Sequence, residues 1–272
     1  MTSKQIEPGR ELLSYQNDVY VTPASRLSWF SRTFPTGSFY LRFLRNVVRS
    51  SATARRGEYD SVEWSLTSHQ VLKTLESVGV CMEISGMENV RQLDSPCVFV
   101  GNHMSMLETI VLPSIIQPVC DVTFVVKQSL LEYPLFRHIA RARDPIAVSR
   151  DNSREDLKTV MQGGVERIEN GISVVVFPQT TRSQVFDSSR FNSIGVKLAL
   201  RAQVPVVPIA LVTDAWGNGN TLKDFGRIDP RKIVRFAFGE PIRVEGRGNQ
   251  QQREIIDFIE GKLNEWRSDL VT

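Results

Sequence analysis

The sequence predicts an α/β fold: a single domain with a mostly parallel central sheet flanked by helices, preceded by an N-terminal amphipathic helical segment. Three observations carry this. Short apolar runs recur along the chain, and they are continuous rather than alternating, as in strands covered on both faces. Amphipathic stretches of helical length lie between most of them, the alternation of an α/β sheet. No linker interrupts residues 57–272, so one large domain accommodates them better than two small ones.

Residues 1–25 are polar and read as a poorly ordered lead-in. Residues 26–56 hold seven arginines (Arg26, Arg32, Arg42, Arg45, Arg49, Arg55, Arg56) and no acidic residue, interleaved with Trp29, Phe30, Phe34, Phe39, Tyr40, Leu41, Phe43, Leu44, Val47 and Val48. Pro35 and Gly37 are expected to divide this stretch into two short helices. A helix is predicted over 61–78, with Trp64, Val71, Leu72, Leu75 and Val78 at helical spacing and Gly79 as its stop. Val80–Ile84 alternates like a strand. The apolar runs Cys97–Val100, Val122–Val126, Pro145–Val148, Ser173–Phe177 and Val206–Leu211 are the predicted sheet interior, and Ile233–Phe238 adds a late strand. Arg137–Arg143 reads as an arginine-rich helix. Asn249–Leu270 closes the chain as a helix with Ile255, Ile256, Ile259, Leu263 and Trp266 on one side.

Three cysteines (Cys81, Cys97, Cys120) without CxxC or CxxH spacing argue for free thiols in a reducing compartment, against a disulfide framework or structural zinc. The longest apolar run, residues 204–212, falls short of the roughly 18 residues a spanning helix needs. The first 25 residues lack the apolar run of a signal peptide. A formal charge of +3 is mild, but it is unevenly distributed. Arginines interleaved with aromatic and aliphatic residues in 26–56 suit a helix lying in the headgroup region of a membrane. Each basic residue near an anionic leaflet contributes about 1 kcal/mol. The expectation is a peripheral protein on the cytoplasmic face of a membrane, with 57–272 as its globular domain. Two other readings of 26–56 are a helical pair packed on the domain with its arginines solvated, and a nucleic-acid arm. No nucleic-acid partner is expected.

Only three histidines are present. His69 falls on the polar side of the 61–78 helix and His138 in the arginine-rich helix, both expected at the surface. His103 follows an apolar strand directly, in Gly101-Asn102-His103-Met104-Ser105-Met106-Leu107-Glu108, and active sites of α/β sheets collect at the carboxyl ends of strands. A histidine with a carboxylate five residues on makes a general base and its orienter: the carboxylate fixes the tautomer and the other ring nitrogen takes a proton from an alcohol. Fully helical residues five apart diverge by about 140°. The pair therefore requires His103 to precede the helix and fold back over its first turn. The same residues also fit a capping box, Ser105-Met106-Leu107-Glu108, in which Glu108 reaches the N-cap amide. A second constellation, Phe177-Pro178-Gln179-Thr180-Thr181-Arg182-Ser183, follows another apolar strand. Arg182 with Thr181 and Ser183 fits an anion cradle, or a polar turn with a solvated arginine.

Asn102-His103-x-Ser105-x-x-Glu108, FPQTTRS at 177–183 and Val204-Pro205-Val206-Val207-Pro208-Ile209, in this order, resemble the motif set of the glycerophospholipid acyltransferases, above all the 1-acylglycerol-3-phosphate acyltransferases. Lys127 through Leu135 and Ile146-Ala147-Val148-Ser149-Arg150 match that family's basic second motif, and Phe238-Gly239-Glu240-Pro241-Ile242 its late strand ending. The resemblance covers roughly residues 80–245. It implies a transfer of a fatty acyl group from acyl-CoA or an acyl-carrier protein to the hydroxyl of lysophosphatidic acid or a related lysophospholipid. His103 would be the base and Glu108 its orienter. Arg150 and Arg182, with Thr181 and Ser183 adding weaker donors and Lys127 assisting, would hold the acceptor's phosphate. No cofactor, metal or acyl-enzyme is required, the thioester being a co-substrate, and membrane lipids are the expected surroundings.

Two departures stand out. Glu108 occupies the position of the family's usual aspartate, longer by one C–C bond of about 1.5 Å. Gln179-Thr180 replaces a usual Glu-Gly, which removes a charge and, at Thr180, the freedom of glycine to adopt positive φ. The altered third motif motivates the alternative of a catalytically silent membrane-binding protein that keeps the fold.

Overall fold

A computed structural model describes residues 11–134, 136–179, 181–219 and 223–268. In chain order the elements are β1 (Val19–Val21), α1 (Trp29–Thr33), α2 (Pro35–Arg55), α3 (Ser61–Glu76), β2 (Met82–Ser85), α4 (Glu88–Arg91), β3 (Val98–Gly101), α5 (Leu107–Ile116), β4 (Val122–Lys127), α6 (Arg137–Ala142), β5 (Ile146–Val148), α7 (Ser153–Glu169), β6 (Ser173–Val176), α8 (Ile194–Ala202), β7 (Val206–Val212), β8 (Val234–Phe238) and α9 (Asn249–Ser268). Among the described residues the strands form one eight-stranded sheet in the order β1-β2-β8-β7-β3-β6-β4-β5. Its pairings are parallel except β1 with β2 and β7 with β8. The expected α/β class and mostly parallel sheet are therefore present.

The continuity of the apolar runs has a direct cause. Successive residues of a strand point to opposite faces, and here both faces are covered. Cys97 and Phe99 join the core beneath α3 and α5, whereas Val98 and Val100 join the one beneath α7, α8 and α9. In β7, Val207, Ile209 and Leu211 face the first side, Val206 and Ala210 the second.

Three expectations change. Within the supposed lead-in, Val19–Val21 pair antiparallel with β2, register Tyr20↔Ile84, and Tyr20 is buried with its hydroxyl donating to Glu76 at 2.5 Å. Residues 1–10 of that lead-in lie outside the described chain. The expected division of 26–56 into two helices falls at Pro35, between α1 and α2, but only α1 is short and Gly37 breaks nothing. Pro35 sits at N1 of α2, where its missing N–H costs nothing, and α2 runs 21 residues straight through Gly37. Burial of Phe39, Phe43 and Val47 at i, i+4 spacing, the first two against Trp216, outweighs the roughly 1 kcal/mol that one glycine costs a helix. His69 is not a fully solvated surface group: it is half-buried, with an Nδ1 that is buried and has no hydrogen-bond partner. Burial, then repulsion from Lys73, lowers its pKa below the ordinary histidine value. The predicted end of the last helix at Leu270 falls outside the described residues.

Candidate active site

Strands β3, β6 and β7 are adjacent and parallel, so their carboxyl ends open on one edge of the sheet. The chain leaving β3 carries His103 into the groove above them before α5 begins at Leu107. Asn102 pins this exit. Its amide nitrogen donates to the Leu211 carbonyl and its oxygen accepts the Leu211 N–H, both at 2.9 Å, tying the end of β3 to β7.

His103 precedes α5 and folds back, the geometry its spacing from Glu108 required. Its Nδ1 lies 2.8 Å from Glu108 Oε1. The same oxygen accepts the N–H groups of Met104 at 2.6 Å and Ser105 at 2.8 Å. The other oxygen accepts the hydroxyls of Ser105 at 3.0 Å and Thr213 at 2.6 Å. The capping and orienting roles thus do not compete; one carboxylate performs both. Glu108 is completely buried. Burial opposes its ionisation, but the hydrogen bonds and charge of His103, with those of Thr213 and Ser105, outweigh burial and hold its pKa below the usual glutamate value. An ionised carboxylate only accepts, so Nδ1 is the ring nitrogen that donates to Glu108 and Nε2 is the one turned away from it. The ring stacks on Phe177 at 4.6 Å between centroids and 8° between planes, which fixes its plane.

Gln179, at the altered motif position, is buried and accepts the His103 backbone N–H through Oε1 at 2.7 Å. The interaction needs an acceptor and no charge, so an amide serves it as a carboxylate would. Thr180, the second altered position, lies outside the described residues, as does Leu135 at the end of the second motif.

The other predicted site residues are distributed unevenly. Arg182 is partly exposed beside Asp224, Nη1 to Oδ1 2.5 Å. Arg150 is exposed after β5 in a left-handed conformation, φ 67°, sparsely populated for a non-glycine residue and clustered at functional sites. Asp156, in the first turn of α7, holds it there by accepting the Arg150 N–H at 2.8 Å and the Ser149 N–H at 2.8 Å. Desolvation, then the positive field of Arg182, lowers the Arg150 pKa below the ordinary arginine value. Lys127 stands exposed at the end of β4, opposite Val148 of β5. Thr181 is exposed. The Ser183 hydroxyl is engaged within its own loop, donating to the Val185 carbonyl at 2.7 Å, and its backbone N–H donates to the His103 carbonyl at 2.9 Å. Ser183 therefore braces the histidine loop.

Beside this edge lies a mostly apolar cavity of about 170 Å³ between α2, α3, α5 and α6. Met106, Arg182 and Asp224 line it, as do Phe43, Trp64 and Phe124.

Residues 81–212 match the family model described as Acyltransferase. The chain is 28% identical over 216 residues to a 1-acyl-sn-glycerol-3-phosphate acyltransferase of Pseudomonas aeruginosa, covering 79% of this chain and 80% of that one. These two matches make the chain similar to 1-acyl-sn-glycerol-3-phosphate acyltransferases. A chloroplastic 1-acyl-sn-glycerol-3-phosphate acyltransferase of Brassica napus is 30% identical over 130 residues, 48% of this chain and 37% of the relative, so the chain spans well under two thirds of that plant protein. The crystal structure of the 1-acyl-sn-glycerophosphate acyltransferase of Thermotoga maritima has the same fold, with a TM-score of 0.63 over 85% of this chain and 94% of that one at 19% identity. The match to the family model ends at Val212, one residue short of Thr213, whose hydroxyl completes the Glu108 cage.

Sequence reasoning missed Thr213, Asp156, Asp224 and the bracing part of Ser183. Thr213 carried a faint signal, a hydroxyl directly after the apolar strand 204–212. The partnership of Asp224 with Arg182, 42 residues apart, had none.

Proposed function

We propose that this acyltransferase moves a fatty acyl group from acyl-CoA or acyl-carrier protein to the free hydroxyl of lysophosphatidic acid or a related lysophospholipid, at a membrane surface. The observation that carries the proposal is the buried His103–Glu108 pair, with Nε2 turned away from the carboxylate, on the sheet edge that also carries Arg182. His103 Nε2 takes the acceptor's proton as its oxygen attacks the thioester carbonyl. The C–O bond forms, the C–S bond breaks, and the imidazolium returns the proton to the departing thiolate. Glu108 stabilises the imidazolium in between. Arg150 and Arg182 receive the acceptor's phosphate, Arg182 by its planar fork, with Thr181 and Lys127 adding donors. The apolar cavity beside Arg182 suits the acyl chain.

The alternative of a silent membrane-binding protein rested on the altered third motif. Gln179 keeps the acceptor that the His103 backbone uses, which favours a working site. The assay that tests the proposal incubates purified protein with labelled acyl-CoA or acyl-carrier protein and a panel of lysolipids. Absence of a two-chain product with any pair would overturn it.

Docking is proposed through α1 and α2. While one face of α2 is buried in the core, the opposite face exposes Leu41, Leu44 and Val48 beside Arg45 and Arg49, and α1 exposes Trp29 by 75%. Phe30 and Phe34 are exposed with them. That combination suits an interfacial position in an anionic leaflet. Among the described residues no helix is long and apolar enough to cross a membrane.

A further inference from the structure

We propose that Asp224 is the positioning residue of Arg182, and that α2 sets it in place, so that the helix bearing the exposed arginines also aims the phosphate-binding guanidinium. This rests on the reading of Arg182 as a ligand for the acceptor's phosphate.

Four observations build it. First, Asp224 Oδ1 accepts from Arg182 Nη1 at 2.5 Å, with both side chains only about one third exposed, at 34% and 27%. The contact takes one corner of a planar fork with five N–H donors and leaves its rigid remainder to face a ligand. Second, Arg182 and Asp224 both line the mostly apolar cavity beside the His103 edge, so the pair meets at the wall of the space proposed for the acyl chain. Third, the segment that carries Asp224 is fastened to α2. Tyr40 donates its hydroxyl to the Gly226 carbonyl at 2.6 Å, and its ring lies 5.8 Å from that of Phe225. Thr36 accepts the Ile228 N–H at 3.1 Å and donates to the Ile228 carbonyl at 3.4 Å. Fourth, the segment is closely packed from the other side. Gly217 donates to the Arg227 carbonyl at 3.0 Å, and a Cβ on Gly226 would fall 1.8 Å from the Gly217 carbonyl oxygen. Only glycine permits that approach. The chain of contact runs from α2 through Tyr40, Gly226 and Asp224 to Arg182.

The arrangement has a stated consequence for substrate choice. A fixed guanidinium recognises a phosphate by geometry as well as charge, whereas a loose one offers charge alone. Loss of Asp224 should therefore weaken phosphate-bearing acceptors selectively, and only while Arg182 is present.

The test is a double-mutant cycle on the full-length protein with Asp224→Ala, Arg182→Ala and the pair. Two readouts are taken: calorimetric binding of soluble hexanoyl lysophosphatidic acid, and the KM for oleoyl lysophosphatidic acid in mixed micelles. Asp224→Ala alone should weaken both by roughly 10- to 100-fold, the range for a lost hydrogen bond to a charged group. In the Arg182→Ala background it should change neither by more than about twofold, because coupled residues are not additive. Asp224→Glu should restore part of the loss. Tyr40→Phe, which removes only the hydroxyl that holds Gly226, should shift the same two readouts in the same direction by a smaller factor. Equal losses with and without Arg182 would make Asp224 a general structural residue and overturn the proposal. Tighter binding in Asp224→Ala would mean that the carboxylate competes with the phosphate, which also overturns it. If the wild type binds no phosphate-bearing lysolipid, the inference falls outright. If it binds one and the cycle behaves as stated but no acyl transfer occurs, the proposed reaction fails and the positioning role stands.

Discussion

Replacing Glu108 by glutamine separates what this side chain does for the fold from what it does for the proposed chemistry. The carboxylate accepts from three N–H groups on Oε1 and from two hydroxyls on Oε2. A glutamine keeps its oxygen toward the three N–H donors and turns its NH₂ toward Ser105 and Thr213, whose hydroxyls can rotate to accept. Alanine would instead strip the buried amides of Met104 and Ser105 of a partner at about 1–3 kcal/mol each, so glutamine is the informative change. What it removes is the charge facing the imidazolium. Unit charges 4 Å apart at an effective dielectric of 20 interact by about 4 kcal/mol, a factor of about 10³ in rate. Because the imidazolium charge is only partly developed in the transition state, the expected loss is roughly 10²–10³ in kcat, with the acceptor KM little changed. The assay is steady-state transfer from labelled acyl-CoA to lysophosphatidic acid, with thermal melts run alongside. Since the folded-state pKa of Glu108 is depressed, its stabilisation is present above the unfolded value of about 4.3 and lost as pH falls through the lower folded value. The melting-temperature gap between wild type and variant should therefore be flat from neutral pH to about pH 5 and close in stronger acid. A folded Glu108→Gln with less than a tenfold loss of kcat would refute the assignment of Glu108 as the charge that supports the base.

His103→Ala should lower turnover by roughly 10²–10⁴ while the protein still melts cooperatively, measured in the same transfer assay; wild-type rates would remove the base from the mechanism. Gln179→Glu keeps the acceptor for the His103 amide and should stay within a few-fold of wild type, whereas Gln179→Leu leaves that N–H buried and unpaired, costing about 1–3 kcal/mol of stability by denaturant titration. Neutralising Arg45 and Arg49 together should weaken binding to anionic vesicles by about 2 kcal/mol, roughly 30-fold, in a flotation assay, with little effect on neutral vesicles; unchanged binding would remove α2 from the proposed contact.

Much of the site was legible because its pieces are local. His103 and Glu108 lie within one strand-to-helix turn, and the pairing follows from which residues precede the helix. Arg150 and Arg182 each follow an apolar strand, where ligand-binding loops emerge. The parts that were not legible lie far apart in the chain. Thr213 reaches Glu108 across 105 residues, and Asp224 reaches Arg182 across 42. Ser183 illustrates a different limit. Its residue type fitted a phosphate donor, but a hydroxyl two residues from a carbonyl can satisfy itself locally, and here it does.

The sequence by itself determined the class of the fold, the order and approximate bounds of most elements and the pairing of His103 with Glu108. Hydrophobic period, glycine stops and a histidine at a strand end are all encoded within a few residues of one another. Tertiary structure alone decided that β7 lies beside β3, that Gln179 accepts the His103 amide, and that α2 has one buried and one exposed apolar face. Each depends on which distant segments the sheet brings together. A strand's own pattern records that both its faces are covered, but not which segments cover them.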